Sequence, residues 1–194
     1  WAVVMPAAID TTSGRCAWAS GARAQQTARI TWTVTPFVAV ARALKAHGFA
    51  APDIIAEDLD SGILLMENLG DGKITDEAGA PIPARYKAAS ELLAKLHAAQ
   101  VSRDLPYDRA KTYSLPPYDH DALMIEARLM LEWYVPFRLS RAVSDEESQT
   151  FNLLCDELIA VLGRSETGLI LRDYHSPNLI WRDEKSGTDR LGLV

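Results

Sequence analysis

The residues best suited to do chemistry lie near the end of the chain, in Arg172-Asp173-Tyr174-His175-Ser176-Pro177-Asn178. Asp173 can accept a proton, and Asn178, five positions on, offers a neutral amide oxygen suited to a hard cation such as Mg²⁺. A base and a metal ligand in one loop form the set that phosphoryl transfer uses. There an aspartate receives the proton of the attacking hydroxyl, and a downstream asparagine helps to hold the metal that bridges the nucleotide phosphates. Two other readings stand beside this one. Asp and Asn also cap helices and form surface turns. Asp-x-His is also a pair of metal ligands such as a metallohydrolase uses, although no other His, Asp or Glu group in the chain has an obvious ligand spacing.

A loop of this kind works only if a rigid frame holds it. Gly168-Leu169-Ile170-Leu171 leads in and Leu179-Ile180-Trp181 leads out, and each apolar run predicts a short buried strand. Upstream, Ser144-Asp145-Glu146-Glu147 has the form of a capping box. Phe151, Leu154, Cys155, Leu158, Val161 and Leu162 then recur at helical spacing up to Gly163, predicting the helix that leads toward the loop. Asp121 to about Arg138 predicts a long helix with Leu123, Ala127, Met130, Leu131 and Tyr134 on one face, bent or ended by Pro136. Arg85 to Gln100 predicts another, lined by Tyr86, Ala89, Leu92, Leu93 and Leu96, in which His97 reads as a core or near-core histidine.

The first part of the chain has a different rhythm. Trp1 to Met5 predicts a strand, and Ala8 to Gln26 is rich in Ser, Thr, Gly and Ala without a period, so residues 8–29 are expected to be poorly ordered. Thr35 has the character of an N-cap with Pro36 at the first helical position, and Gly48 can end that helix with a left-handed residue. Pro52 to Glu57 and Ile63 to Glu67 predict strands joined by the turn-forming Asp58-Leu59-Asp60-Ser61-Gly62. Lys73 to Ala84 reads as a loop.

Composition narrows the partners. With 194 residues and 48% hydrophobic content the chain can bury a substantial core. A net charge of −6 without any Lys/Arg run argues against a nucleic-acid partner, because neutralising phosphates needs clustered cations. Cys16 and Cys155 are isolated, so neither a disulfide framework nor a zinc site is implied, and a reducing cytoplasm is the expectation. No apolar run reaches the roughly 18 residues that span a bilayer. The chain begins at Trp1 inside an apolar run, without an initiator methionine, and reads as a piece of a longer protein.

Arg172-Asp173 followed by Asn178 resembles the catalytic loop of protein-kinase-like enzymes, and the Asp-x-His-x-x-Asn form met by Asp173, His175 and Asn178 is similar to the aminoglycoside phosphotransferase branch. Leu171 stands where protein kinases usually carry a histidine, which favours a small-molecule kinase. Further segments carry the likeness: Leu93-Ala94-Lys95-Leu96-His97, and Glu67-Asn68-Leu69-Gly70-Asp71 after an apolar strand. Leu115-Pro116-Pro117-Tyr118-Asp119, Glu126 and Glu132-Trp133-Tyr134-Val135-Pro136 look like a bacterial subgroup, the anomeric kinases of N-acetylmuramate and N-acetylglucosamine.

The resemblance implies an α+β, two-lobed kinase-like fold, with residues 1–70 a nucleotide-binding lobe and 71–194 a larger, mainly helical catalytic and substrate-side lobe. It implies ATP and Mg²⁺ as cofactors and transfer of the γ-phosphoryl group to a sugar or aminoglycoside-like hydroxyl. Asp173 would be the base and Asn178 the metal ligand, with Arg172 and His175 orienting the loop or substrate. Glu67, Asn68 and Leu69 would contact adenine through the backbone, and Glu126, Trp133 and Tyr134 would contact the sugar, since aromatic faces stack on sugar rings and carboxylates bind hydroxyls. The chain lacks three parts of the pattern. Met5 and Pro6 fill the neighbourhood of a phosphate-pairing cation, while the Gly-rich phosphate loop would lie before Trp1 and the second metal-binding aspartate after Val194, so neither is represented in these 194 residues. These departures leave a nucleotide-binding pseudokinase as the alternative and predict that the 194 residues alone do not turn over ATP.

Overall fold

The computed structural model describes residues 34–194, so the strand expected over residues 1–5 and the loop expected over 8–29 lie outside it. The described chain is mixed helix and strand with small two-stranded antiparallel sheets. Its contacts form two compact units, one holding residues 34–114 with 171–194 and the other Leu115–Ile170. This grouping keeps residues 71–114 with the N-terminal elements, whereas the lobe boundary read from the sequence lies at residue 70.

In the first unit, helix α1 (Thr35–Ala46) begins one residue earlier than expected. Val34 occupies the N-cap position without a side-chain cap, and Thr35 and Pro36 both lie in the first turn. A proline is tolerated there because its missing N–H would have had no intrahelical partner, so it marks the first turn rather than one position in it. Gly48, at φ +79°, ends the helix region as its type allows. Strands β1 (Ile54–Asp58) and β2 (Ile63–Met66) pair antiparallel, and the turn is tied by the Ser61 N–H donating to Asp58 Oδ1 at 3.0 Å.

Helix α2 (Pro83–Ala98) buries Ala89, Leu92 and Leu96, while its His97 is exposed, contrary to the near-core reading. The loop before it is not purely a connector, because Ile74 is among the most completely buried side chains. A hairpin of β3 (Asp104–Asp108) and β4 (Lys111–Ser114) follows, which the sequence reading passed over. Leu105 on β3 is fully buried, and α1 packs on this hairpin. Arg42 of α1 fastens the arrangement by donating to the Tyr107 carbonyl and pairing with Glu57 Oε2 at 3.0 Å. The unit closes with the β5 (Leu179–Trp181) and β6 (Leu191–Leu193) hairpin, whose Leu179, Leu191 and Leu193 are buried.

In the second unit, the long helix expected over 121–138 is divided. Helix α3 (His120–Leu129) passes into a π-helical turn over Met130–Tyr134 and then α4 (Val135–Leu139), with Pro136 in the first turn of α4. A proline has no N–H to give and its ring crowds the carbonyl four residues back. Widening the preceding turn removes that conflict without stopping the chain's helical course.

Helix α5 (Asp145–Leu162) packs on α3 through polar side chains: Arg128 Nε donates to Asn152 Oδ1 at 3.1 Å, and the His120 ring meets Asp156 at 2.8 Å. Its predicted stripe is helical, but Leu154, Leu158 and Val161 are exposed.

The capping box is present in full: Glu147 N donates to Ser144 Oγ at 3.2 Å and Ser144 N to Glu147 Oε2 at 2.9 Å. Arg141 beside it, together with the Ser144 N–H, lowers the Glu147 carboxyl from 4.5 to about 2. A carboxyl held below its ordinary value contributes stability above that value and loses it as pH falls toward the lowered one. The first turn of α5 should therefore fray as pH drops from about 4.5 toward 2, read as faster exchange of its amide hydrogens. Glu147→Gln should abolish that acid dependence.

Candidate active site

The frame of the loop differs from two flanking strands. Leu179–Trp181 is strand β5, but Gly168–Leu171 has no ladder partner among the described residues and runs as irregular chain, with Leu169 buried and Ile170 half exposed. An apolar run reports burial. It becomes a strand only where a second chain segment is there to bond.

The loop is instead closed by its own bonds. His175 N and Asn178 Nδ2 both donate to the Asp173 carbonyl, at 2.9 and 3.0 Å, and Asn178 N donates to the His175 carbonyl at 2.9 Å. Residues Ser176–Asn178 form one 3₁₀ turn, whose far end is fixed by Val194 N donating to the Asn178 carbonyl at 3.1 Å. Because Nδ2 must be the end that faces a carbonyl, the amide's orientation is determined and its Oδ1 is directed away from the Asp173 backbone. Nδ2 also lies 3.4 Å from His175 Nε2, a contact that favours the tautomer with the proton on Nδ1. Arg172 and Asp173 are exposed. No partner for the Asp173 carboxylate occurs among the described residues, and the bonds that hold Asp173 go to its backbone carbonyl.

The segment Glu67-Asn68-Leu69 lies against the same hairpin. Glu67 N donates to the Asp53 carbonyl at 2.8 Å, Asp53 N donates to Glu67 Oε2 at 3.1 Å, and Glu67 Oε1 faces the largely buried Arg182 at 3.9 Å. Leu69 is buried over β6, so closely that a Cβ on Gly192 would stand 2.8 Å from its Cδ1. Three residues on, Trp181 N donates to the Gly72 carbonyl at 2.7 Å, and a Cβ on Gly72 would fall 2.0 Å from the Trp181 carbonyl oxygen. Arg85 and Arg190 lie over the Trp181 ring at 5.0 and 5.2 Å, and its Nε1 donates to Asp183 at 2.7 Å. The structure thus ties the Glu67–Leu69 segment and the strand leaving the loop into one packed body. Gly72→Ala tests this, since neither clashing atom can move without losing the 2.7 Å bond. It should destabilise the fold by about 2 kcal/mol, the middle of the range for overpacking, measured by chemical denaturation.

Glu126, Trp133 and Tyr134 belong to the other unit. Glu126 accepts a hydrogen bond from the Tyr118 hydroxyl, which orients its carboxylate, while Trp133 and Tyr134 stand on the π-helical turn with 64% and 57% of their surface exposed. Sequence reasoning missed Tyr174, whose hydroxyl donates to the Ala89 carbonyl of α2 at 2.7 Å, and Arg182 and Gly72. Tyr174 lay inside the loop already singled out. A phenol between two polar residues was the available signal.

The loop folded on the Asp173 carbonyl by Asn178 and the Glu67–Leu69 segment thus lie on one packed body, and comparison with known proteins gives its class. Residues 26–194 match APH, the phosphotransferase enzyme family, and the chain belongs to it. The family carries a kinase-like fold.

Among individual relatives, it is 33% identical over 163 residues to the N-acetylmuramate/N-acetylglucosamine kinase of Caulobacter vibrioides, covering 83% of this chain and 44% of that protein. Kinases of the same name from Pseudomonas aeruginosa and Pseudomonas putida are 29% and 31% identical, over 78% and 75% of this chain and 42% and 40% of theirs. The chain therefore spans less than half the length of the curated relatives it matches. Among the described residues, no helix is long and apolar enough to cross a membrane.

Proposed function

We propose that the protein to which this chain belongs transfers the γ-phosphoryl group of ATP to a hydroxyl of a sugar, with the anomeric hydroxyl of an N-acetylated amino sugar as the acceptor. The observation that carries this reading is the Asp173–Asn178 loop: an exposed carboxylate without a partner among the described residues, and an amide oxygen turned outward by the bond its nitrogen makes. The names of the relatives supply the acceptor class. A two-lobed kinase arrangement with a boundary near residue 70, and a cytoplasmic location, complete the proposal.

Asp173 takes the proton of the attacking hydroxyl. Arg172 and His175 flank it and orient the loop or the substrate. A Mg²⁺ fits the donor chemistry at Asn178, because a neutral amide oxygen is a hard ligand. Among the described residues no three or more His, Cys, Asp or Glu are grouped to hold a metal, so nucleotide phosphates and water would supply its other ligands. When bound, the ion would neutralise charge on the phosphates. The Glu67 N–H is already committed to Asp53, whereas the Glu67 carbonyl and the Leu69 N–H have no partner among the described residues. Those two backbone groups can accept from and donate to an adenine edge. Glu126, Trp133 and Tyr134 are the proposed sugar contacts.

Titration of the full-length protein with Mg-ATP and a panel of sugars, followed by an assay of ADP release, tests the proposal. Turnover should require an N-acetylated amino sugar with a free anomeric hydroxyl. Nucleotide binding without turnover on any sugar would overturn it in favour of a pseudokinase.

A further inference from the structure

We propose that Tyr174 is a positioning residue for the Asp173 carboxylate, holding it by anchoring the loop backbone to helix α2; the proposal rests on the reading of Asp173 as the base. Tyr174 is adjacent in sequence to Asp173, and its hydroxyl donates at 2.7 Å to the carbonyl of Ala89, 85 residues away. Ala89 lies on the buried face of α2, where its carbonyl is held by the helix. The anchor point is therefore rigid.

The Asp173 carboxylate has no partner of its own among the described residues, and the bonds that hold this residue go to its backbone carbonyl. That backbone is held on two sides. On the C-terminal side, His175 N and Asn178 Nδ2 bond the Asp173 carbonyl. Across the peptide that joins Asp173 to Tyr174, the phenol spans the same unit and bonds α2. Without the second anchor, the Asp173–His175 turn would remain closed on itself but could rock as a body against β5. Burial pushes the phenol up to about 12, so it keeps its proton and its donor role at every ordinary working pH.

Tyr174→Phe keeps the ring and its packing and removes only the hydroxyl. The variant is measured in the full-length protein, alone and combined with Asp173→Asn, at saturating Mg-ATP and sugar. Thermal unfolding and exchange of the His175 amide hydrogen are followed alongside.

The expected result is a fall in kcat of about tenfold, less than the roughly 10²-fold that a misplacement of an ångström costs. KM for ATP should stay within about twofold, His175 exchange should quicken, and no further loss should appear on the Asp173→Asn background, as for two residues acting through one group. A purely structural role would lower the unfolding temperature and leave kcat of the folded protein unchanged, and that result would overturn the proposal. So would an equal tenfold loss on both backgrounds, since Tyr174 would then act independently of Asp173. Failure of the underlying reading is seen on a different variant: Asp173→Asn alone would retain near-parental kcat, and both proposals would fall.

Discussion

Asp173→Asn in the full-length protein is expected to lower kcat by about 10²–10⁴-fold, the range that a general base contributes, while the affinity for ATP changes little. The structure makes this a clean substitution. The bonds that close the loop go to the Asp173 backbone carbonyl, from His175 N and Asn178 Nδ2, and none of them uses the carboxylate. Asparagine matches the aspartate in volume, so the turn, its packing on β5 and the Tyr174 anchor should all survive the exchange. What disappears is the capacity to take a proton. A defect confined to kcat marks an interaction made in the transition state, whereas a loss of fold would also appear in ATP binding and in thermal unfolding. Steady-state kinetics with each sugar that the parent phosphorylates decides the matter. Near-parental kcat would remove Asp173 from the role of base and with it the functional reading of the loop.

The parts of this site that could be read from the sequence are those in which the chemistry is local. Asp173, His175 and Asn178 fall within six consecutive residues, and the bonds that organise them run between residues two to five apart, so spacing alone carries the pattern. The Ser144–Glu147 capping box was legible for the same reason. What the spacing could not show is where the loop is attached. Tyr174 meets Ala89 across 85 residues, and Arg42 meets Tyr107 across 65; no periodicity announces such pairs. Gly72 is informative only once the Trp181 carbonyl is seen to occupy the place of its missing side chain.

Where the sequence reading departed from the structure, one class of signal had been asked to do the work of another. The apolar run Gly168–Leu171 correctly marked burial at Leu169, but a strand also needs a bonding neighbour, which hydropathy does not encode. Pro136 correctly marked a disturbance in a helix, yet the chain absorbed it by widening one turn. The β3–β4 hairpin did carry a period-two signal in Leu105 and Tyr107, partly obscured by Pro106 between them.

Asn178→Ala is expected to fail in two separable ways, because the amide serves two purposes. Its oxygen is the proposed metal ligand, and its nitrogen closes the loop on the Asp173 carbonyl at 3.0 Å. Loss of the oxygen should raise the Mg²⁺ concentration for half-maximal rate by at least about tenfold, the smaller of the losses that disturbed metal sites show, and excess Mg²⁺ should relieve that part. Loss of the nitrogen loosens the turn that carries the proposed base, and no concentration of Mg²⁺ restores it, so kcat at saturating metal should remain depressed. Asn178→Asp separates the two terms from the other direction. It keeps an oxygen for the metal and adds charge that should favour the ion. It also replaces the donor with a second oxygen facing a carbonyl, so the loop should open even as Mg²⁺ affinity holds or rises. Rate measured against Mg²⁺ for both variants reads the two terms independently. Complete rescue of Asn178→Ala by Mg²⁺ would show that the loop closure contributes nothing to the rate. An unchanged Mg²⁺ requirement in that variant would remove Asn178 from the metal site.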